Sequence, residues 1–299
     1  MDWNQSIEEY KSYLKIERGL SLNSIVSYEN DILSLKNYIL ENKIKESPIE
    51  CTADTINSFI YKSSKKNSPS SQARKISGLK SFFKFLVFEG YIESSPILNI
   101  ESPRLGRKLP DILNIEEIFH MISSIDINEK FGRRNKTIIE ILYGTGIRVS
   151  ELINLKISNI FFKENMIRVI GKGDKERFVP LGIQAKQSIN DYINNKRNLQ
   201  KIEESSNDIL ILSKDGKRLT RHMIFNIIKK ISKNSGINKK ISPHTFRHSF
   251  ASHLLKNGAD LRSIQLILGH ENITTTEIYT HLDSKHLLNV MKKYHPRSK

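Results

Sequence analysis

Three predicted helix starts follow one another between residues 242 and 282, and they constrain the fold of this region strongly. Ser242 precedes Pro243, so a capping hydroxyl comes directly before a proline suited to the first helical position. Asp260 opens a second apolar repeat, and the third begins at Asn272 or Thr274, the latter with a Thr-x-x-Glu capping spacing. The region is therefore predicted to form three short helices joined by tight turns.

The side chains best suited to catalysis lie at these helix ends. His244 and Arg247 lie three residues apart and share a face of the first helix, while His270 follows the second helix and Tyr279 lies in the third. The apolar stripe of the first helix is on a different face and consists of Phe246, Phe250 and Leu254. We therefore expect the two histidines, the arginine and the tyrosine to converge on one cleft.

Taken singly, each of these residues is more often a packing or capping residue. Their combined spacing is more specific. The pattern contains H-x-x-R, then G-H, then a tyrosine nine residues further. It resembles the signature of the tyrosine recombinases, or phage integrase-like family. The likeness extends over nearly the whole chain and is greatest to the bacterial Xer recombinases. It implies an enzyme that cuts and rejoins DNA through a 3′-phosphotyrosine intermediate, with Tyr279 as the nucleophile.

Charge favours a nucleic-acid partner. The chain of 299 residues has a net charge of +16. Residues 1–104 contain 14 basic and 13 acidic side chains, so residues 105–299 contain the remaining 34 of 48 basic and 19 of 32 acidic ones, a net charge of +1 against +15. A field of this size on one part of a chain is typical of a protein that binds a polyanion.

Other composition features narrow the class of protein. No run of about 18 apolar residues predicts a membrane span, and the first residues lack the pattern of a signal peptide. Cys51 is the single cysteine, which excludes an intrachain disulfide and a cysteine-based zinc site. The sequence thus predicts a cytoplasmic protein with no metal or other cofactor.

The amino-terminal region is predicted to form a bundle of amphipathic helices. Apolar residues recur at helical spacing in residues 7–20 and 24–40, after Thr52, and from about Ser71. Residues 62–84 contain seven basic side chains and no acidic one. Such a segment is either a solvated face or a surface for DNA phosphates, and we predict the second, with Arg74, Lys75, Lys80 and Lys84 as contacts.

A proline-rich basic stretch separates this bundle from the rest of the chain. We predict a first domain at 1–104, a linker at 105–110 and a second domain at 111–299. The family resemblance implies an all-α core-binding domain of the SAM-like type, then a mainly α catalytic domain with a small antiparallel β-sheet. In the family the two domains clamp the DNA duplex from opposite sides.

Two further motifs lie in the second domain. Arg148 follows a Gly-Thr-Gly turn and opens a helix, and either a structural ion pair with Glu151 or a bound anion would satisfy its charge. Two β-prone runs at 166–170 and 176–181 flank a glycine-rich turn that contains Lys172, which predicts a hairpin. A loop lysine is most often only solvated. The resemblance instead implies that Arg148 binds phosphate, that Glu151 supports it, and that Lys172 enters the active site.

The remaining candidates lie near helix ends. Arg221 and His222 open a predicted helix and are expected to contact DNA. An apolar stripe near the carboxy terminus consists of Leu287, Leu288, Val290 and Met291. It can dock on its own domain or on a neighbouring subunit, and because family members exchange this tail between subunits, we expect the second.

Phosphodiester chemistry explains why these residue types belong together. Charge builds on the nonbridging oxygens as phosphorus becomes five-coordinate, so two arginines and two histidines are suitable donors. His244 is the better candidate for the base and His270 for an orienting donor, although the sequence does not separate them. Lys172 would protonate the leaving 5′-oxygen.

The resemblance implies partners as well as chemistry. Expected partners are duplex DNA with a specific site, further copies of the chain or a paralogous recombinase in a tetramer, and a cell-division DNA translocase. Resolution of chromosome or plasmid dimers is the expected role. A phage or transposon integrase, a type IB topoisomerase-like enzyme and a noncatalytic DNA-binding protein stay as alternatives.

Overall fold

The computed structural model describes residues 1–65, 67–103, 111–171, 174–269 and 281–297, with the backbone alone at 281–284. The chain divides into two compact units, Met1–Lys108 and Leu109–Lys299. The linker predicted at 105–110 lies outside the described residues.

The amino-terminal unit is helical. Its helices are α1 (Trp3–Ile16), α2 (Leu22–Glu41), α3 (Ala53–Ser64) and α4 (Pro69–Phe88). Three of them begin at a side chain that accepts a hydrogen bond from the backbone three residues on, namely Asp2, Thr52 and Ser68. These caps satisfy N–H groups that have no partner within the helix, which fixes where each helix starts.

Helix α4 supplies much of the core of this unit. The helical apolar spacing predicted from about Ser71 places Ile76, Leu79, Phe83 and Leu86 on one stripe, and these four residues are buried together with Phe82 and Phe85. Tyr10 of α1 packs edge-on against Phe82, with ring centroids 5.4 Å apart, and its hydroxyl bonds the Ser81 hydroxyl at 2.8 Å. A buried tyrosine hydroxyl needs such a partner, so this contact fixes how α1 lies on α4.

The carboxy-terminal unit is mainly helical and contains one small sheet. Its helices are α5 (Ile115–Ser123), α6 (Gly132–Thr145), α7 (Val149–Ile153), α8 (Ile183–Asn195), α9 (Arg221–Asn234), α10 (Pro243–Lys256), α11 (Leu261–Leu268) and α12 (His281–Tyr294). The sheet has the antiparallel order β1 (Ile160–Phe161), β2 (Met166–Ile170) and β3 (Glu176–Pro180).

The predicted hairpin is present, with Ile170 opposite Glu176 and Met166 opposite Pro180. The sequence analysis missed β1, which has only two residues and pairs Ile160 with Ile167. So short a strand has no periodicity to detect, because it is held by pairing with β2 rather than by its own pattern. The predicted fold class, an all-α unit followed by a mainly α unit with a small antiparallel sheet, is confirmed.

Helix α6 runs through the core of the second unit, and its residues from Thr137 to Thr145 are all buried. It ends at Gly146, whose φ is +64°. A Cβ at this position would lie 2.5 Å from a ring carbon of Phe250 on α10. Glycine is therefore required here both by the left-handed backbone and by the close approach of α10.

The carboxy-terminal tail packs on its own unit, which corrects the expectation that it docks on a neighbour. Leu287, Val290 and Met291 of α12 are buried in the hydrophobic core of the second unit. Beyond α12, the buried His295 ring lies 4.8 Å from that of Tyr143, and Arg297 bonds the buried carboxylate of Glu140. Three of the four residues of the apolar stripe are thus buried within the chain, and the fourth, Leu288, is half-buried.

Among the described residues, no helix combines the length and the apolar character needed to cross a membrane. Cys51 is a buried free thiol in the core of the first unit. Burial, together with the nearby Glu46, raises its pKa to about 12. The thiol is therefore a packing group, because the reactive thiolate form is suppressed at neutral pH.

Candidate active site

Helix α10 places the predicted His244 and Arg247 in its first turns. Ser242 is its N-cap, and the Ser242 backbone N–H donates to the Thr245 hydroxyl at 3.1 Å. The predicted apolar stripe of Phe246, Phe250 and Leu254 is fully buried. His244 is exposed, whereas Arg247 is only 9% exposed. The helix thus presents an accessible imidazole beside a nearly buried guanidinium.

Two backbone carbonyls hold Arg247. Its Nη1 donates to the Gly146 carbonyl at 2.8 Å and its Nη2 to the Leu268 carbonyl at 2.7 Å. Burial lowers its pKa to about 10, and the charges of Arg148 and Arg177 contribute to that shift while Glu151 opposes it. Arg247 therefore stays charged at neutral pH, and the surrounding positive charge would stabilise an anion bound beside it.

Arg148 also approaches the Leu268 carbonyl. It is the N-cap residue of α7, and its Nη2 donates to the Gly269 carbonyl at 3.1 Å. Its Nη1 lies 3.5 Å from the Leu268 carbonyl, which Arg247 also bonds. The structure therefore brings the two predicted arginines together at the carboxyl end of α11.

Glu151 bonds Arg148 twice, as the structural alternative in the sequence analysis required. Its Oε2 accepts from the Arg148 backbone N–H at 2.7 Å and its Oε1 from Nη1 at 3.2 Å. The Arg148 side chain nevertheless keeps 38% of its surface exposed. The ion pair therefore orients the guanidinium and leaves part of it open to a ligand.

Arg177 on β3 also belongs to the site, and the sequence analysis missed it. Its Nη1 and Nη2 donate to the two oxygens of Glu151 at 2.7 and 2.9 Å, and its Nε donates to the Ile267 carbonyl at 3.0 Å. A signal was available: strand side chains alternate between faces, so Arg177 shares the inward face with Val179. A charged residue at an inward position needs a buried partner.

The charges around Glu151 and His244 shift their pKa values downward. Burial alone would raise the pKa of Glu151, but the hydrogen bonds and charges of Arg177 and Arg148 outweigh burial and lower it. Loss of solvent around His244 lowers its pKa, and His248, Arg247 and Arg148 lower it further. Glu151 is therefore ionised, and the imidazole is neutral and able to accept a proton at neutral pH.

Three of the predicted residues, Lys172, His270 and Tyr279, lie outside the described residues. Lys172 lies in the sequence between β2 and β3. His270 directly follows Gly269, the left-handed residue that ends α11. Strand β3 follows Lys172 in the sequence and α11 precedes His270, and the Arg177 bond to Ile267 joins these two elements at the site.

The predicted DNA contacts of the first unit occupy different environments on α4. Arg74 bonds both oxygens of the buried Asp31, at 2.7 and 2.6 Å, yet its side chain is 54% exposed. Lys75 is half-buried, with its Nζ 5.3 Å from the centre of the Phe59 ring, and burial lowers its pKa. Lys80 is half-buried and Lys84 is exposed. Lys84 and Arg74 are thus the two exposed residues of the four, and Arg74 is held in place by its bonds to Asp31.

A groove between α2 and α4 surrounds the Arg74–Asp31 pair. It has a volume of about 330 Å³ and is lined by Asn23, Ser24, Ser27, Tyr28, Asp31, Arg74 and Ser77. Most of these side chains offer hydroxyl or amide groups, and Arg74 bonds the Ser27 hydroxyl at 2.9 Å. A groove of this composition suits a polar ligand with hydrogen-bond acceptors.

The last two predicted contacts lie in the second unit. Arg221 and His222 are exposed in the first turn of α9, which Thr220 caps through a bond from the Met223 backbone at 3.2 Å. The amino-terminal end of a helix carries partial positive charge, which adds to that of Arg221. Both side chains are therefore accessible to a polyanion.

Both units match known families. Residues 112–286 match the phage integrase family, and residues 7–90 match the phage integrase N-terminal SAM-like domain. Tyrosine recombinase XerD of Listeria innocua is 40% identical over 296 residues, with 99% of this chain and 100% of the relative covered. Tyrosine recombinase XerD of Staphylococcus haemolyticus is 39% identical, with 98% and 99% covered.

Solved structures agree with the sequence matches. The crystal structure of the XerH site-specific recombinase bound to its difH substrate, a pre-cleavage complex, is 25% identical and has a TM-score of 0.69, with 94% of this chain and 83% of that chain covered. The resemblance predicted from the histidine, arginine and tyrosine spacing is confirmed. The chain therefore belongs to the phage integrase family and is a tyrosine site-specific recombinase.

Proposed function

We propose that the chain cleaves DNA with Tyr279 as the nucleophile and with Arg148, Arg247 and His244 around the scissile phosphate. The observation that carries this assignment is the convergence of the two arginines on the Leu268 carbonyl, at 3.5 and 2.7 Å. Two guanidiniums that share one acceptor are close enough to bind the two nonbridging oxygens of a single phosphate.

Attack on the phosphate requires removal of the tyrosine proton, since a phenol has a pKa of about 10. His244 is exposed and its lowered pKa keeps it neutral, so it is the proposed base. The Tyr279 oxygen bonds phosphorus, the 5′-oxygen leaves, and Lys172 gives that oxygen a proton. His270 is assigned as a donor to the phosphate.

The intermediate keeps the phosphodiester energy, because one phosphoester bond replaces another. A 5′-hydroxyl from a second duplex can therefore attack the phosphotyrosine and displace Tyr279 without an added energy source. Exchange between two duplexes needs four cut strands and hence four tyrosines. We therefore assign a tetramer on DNA, built from this chain alone or together with a paralogous recombinase.

The proposed biological role is the resolution of chromosome or plasmid dimers at cell division, in the cytoplasm. The support is the likeness to tyrosine recombinases named XerD over nearly the full chain. A cell-division DNA translocase is the proposed regulator. The DNA substrate is proposed from the net charge of +16 and from the likeness to XerH, which was crystallised on its difH substrate.

Two experiments in sequence test this function. The first traps the protein covalently on genomic DNA and sequences the DNA next to the adduct, which identifies the site. The second mixes two differently labelled duplexes that contain this site and looks for products joining both labels. Joined products are expected. A covalent adduct without joined products would instead support a topoisomerase-like activity, and binding without any adduct would support a noncatalytic protein.

A further inference from the structure

Three arginines cap three consecutive carbonyls at the carboxyl end of α11. Arg177 bonds Ile267 at 3.0 Å, Arg247 bonds Leu268 at 2.7 Å, and Arg148 bonds Gly269 at 3.1 Å. The last carbonyls of a helix have no partner within it and carry partial negative charge, so they attract cations. The arginine cluster is therefore assembled by the helix end itself.

Arg177 differs from the other two because it is buried and its planar fork is already paired with a carboxylate. Its side chain is buried, its two Nη atoms hold both oxygens of Glu151 at 2.7 and 2.9 Å, and its Nε holds the helix end. A guanidinium in a bidentate carboxylate pair presents its planar fork to that carboxylate and cannot also offer it to a phosphate. Arg177 therefore holds other groups of the protein in place and does not bind the substrate.

Glu151 is the link between Arg177 and Arg148. The same carboxylate accepts the Arg148 backbone N–H at 2.7 Å and its Nη1 at 3.2 Å. Glu151 is only 4% exposed, so it must find positive charge within the protein. If Arg177 were absent, Arg148 would be its remaining arginine partner and would be drawn more tightly onto the carboxylate.

The turn at Gly269 depends on the same side chain. Gly269 has a φ of +66°, and a Cβ there would lie 2.9 Å from Cδ of Arg177 and 3.0 Å from its Nε. The backbone thus packs directly on the Arg177 stem. Any displacement of Arg177 removes both the cap on Ile267 and the surface that supports this turn, which immediately precedes His270 in the chain.

We propose that Arg177 is a positioning residue for DNA cleavage. It saturates Glu151, which leaves Arg148 free to bind the scissile phosphate, and it fixes the end of α11 ahead of His270. This inference rests on the proposed function, since it assumes that Arg148 binds the phosphate. It assigns Arg177 no contact with DNA.

The test replaces Arg177 by Gln and by Lys in the full-length chain. Single-turnover adduct formation on a nicked duplex should fall about 100-fold for Arg177→Gln, because a misplaced phosphate ligand costs roughly that much, while DNA affinity stays within about threefold. Arg177→Lys should recover only part of the rate, because one ammonium cannot hold two carboxylate oxygens and the helix end together. The matched control is Arg168→Gln on β2, which removes an arginine bonded to Asn159 outside the cluster and should cleave at about the wild-type rate.

A double-mutant cycle separates positioning from general stability. If Arg177 acts through Arg148, then Arg177→Gln should add less than about threefold to the defect of Arg148→Ala. An equal loss in both backgrounds, or a folded Arg177→Gln protein that cleaves at the wild-type rate, overturns the inference. If Arg177→Gln does not fold, the same cycle with Arg177→Lys decides by the same criterion. Absence of adduct from the wild-type protein would contradict the proposed function instead.

Discussion

At the scale of single residues, His295 shows how burial makes the fold sensitive to acid. Its ring is 1% exposed, its Nε2 donates to the Tyr143 carbonyl at 3.2 Å, and its Nδ1 accepts the Arg297 backbone N–H at 3.2 Å. Both nitrogens are thus satisfied in the neutral form. Burial, with a smaller contribution from the charges of His253 and Arg297, lowers the pKa of His295 to about 3, although the hydrogen bond to Tyr143 opposes this shift.

We therefore expect His295 to make folding less favourable as the pH falls. Between the ordinary pKa of about 6.5 and about 3, the unfolded chain binds a proton that the folded chain does not, so stability falls by up to about 1.4 kcal/mol per pH unit. Replacing His295 by Gln should remove about 2 kcal/mol of the loss between pH 7 and 5. Denaturant unfolding at both pH values measures it, with the same change at exposed His120 as the control. Parallel pH profiles for wild type and His295→Gln would refute the assignment.

At the scale of elements, the approach of α2 to α4 is set by a glycine. A Cβ at Gly78 would lie 2.4 Å from Oδ2 of Asp31, the carboxylate that orients Arg74. Replacement of a helical glycine by alanine ordinarily stabilises a helix by about 0.5–1 kcal/mol. Here the sign should reverse, because the methyl group cannot fit without moving the ion pair.

We expect Gly78→Ala to lower the melting temperature of the first unit and to weaken DNA binding. The matched control is Gly144→Ala in α6, where the added Cβ would make an ordinary contact with Ala185 at 3.4 Å. That variant should be neutral or slightly stabilising. Calorimetry and DNA titration of both proteins provide the measurement. A stabilised Gly78→Ala protein with unchanged affinity would show that α2 can move away without cost.

Elements defined by local signals were predictable, and elements defined by distant partners were not. Ser242 and Asp260 correctly predicted where their helices start, because an N-cap residue interacts with groups only three residues away. The role of Arg177 depends on Glu151, 26 positions away, and that of Arg297 on Glu140, 157 positions away. No periodicity within a segment encodes such pairs. The tail was assigned to the wrong partner for this reason. Its apolar stripe predicts that the tail is buried, but it does not identify the surface that buries it.

At the scale of the whole molecule, positive charge is concentrated in the second unit, with a local excess on α4 of the first. DNA binding should release counterions in proportion to the cations that meet phosphates. Replacing Lys75, Lys80 and Lys84 by Gln should weaken binding and reduce the slope of log affinity against log salt by up to about 3. Lys75 should contribute the least, because its ammonium is half-buried over Phe59.

The matched control for these lysines is a second triple in the same unit. Lys36, Lys43 and Lys45 lie outside the basic segment at 62–84, and changing them to Gln removes the same net charge. Titrations at several salt concentrations compare the two variants. Equal slopes for both would mean that α4 contributes only general charge and that the basic segment is a solvated face.

The central claim is that Tyr279 becomes covalently joined to DNA in the active site of a recombinase. Its most direct test incubates wild-type protein and Tyr279→Phe with a nicked duplex that traps the intermediate, resolves the products on a denaturing gel, and maps the modified peptide. Wild type should form an adduct at Tyr279, whereas Tyr279→Phe should form none and still bind DNA within about tenfold of wild type, because one hydroxyl adds little to a phosphate-dominated interface. Adduct from Tyr279→Phe, or attachment at a different residue of the wild-type chain, would contradict the claim.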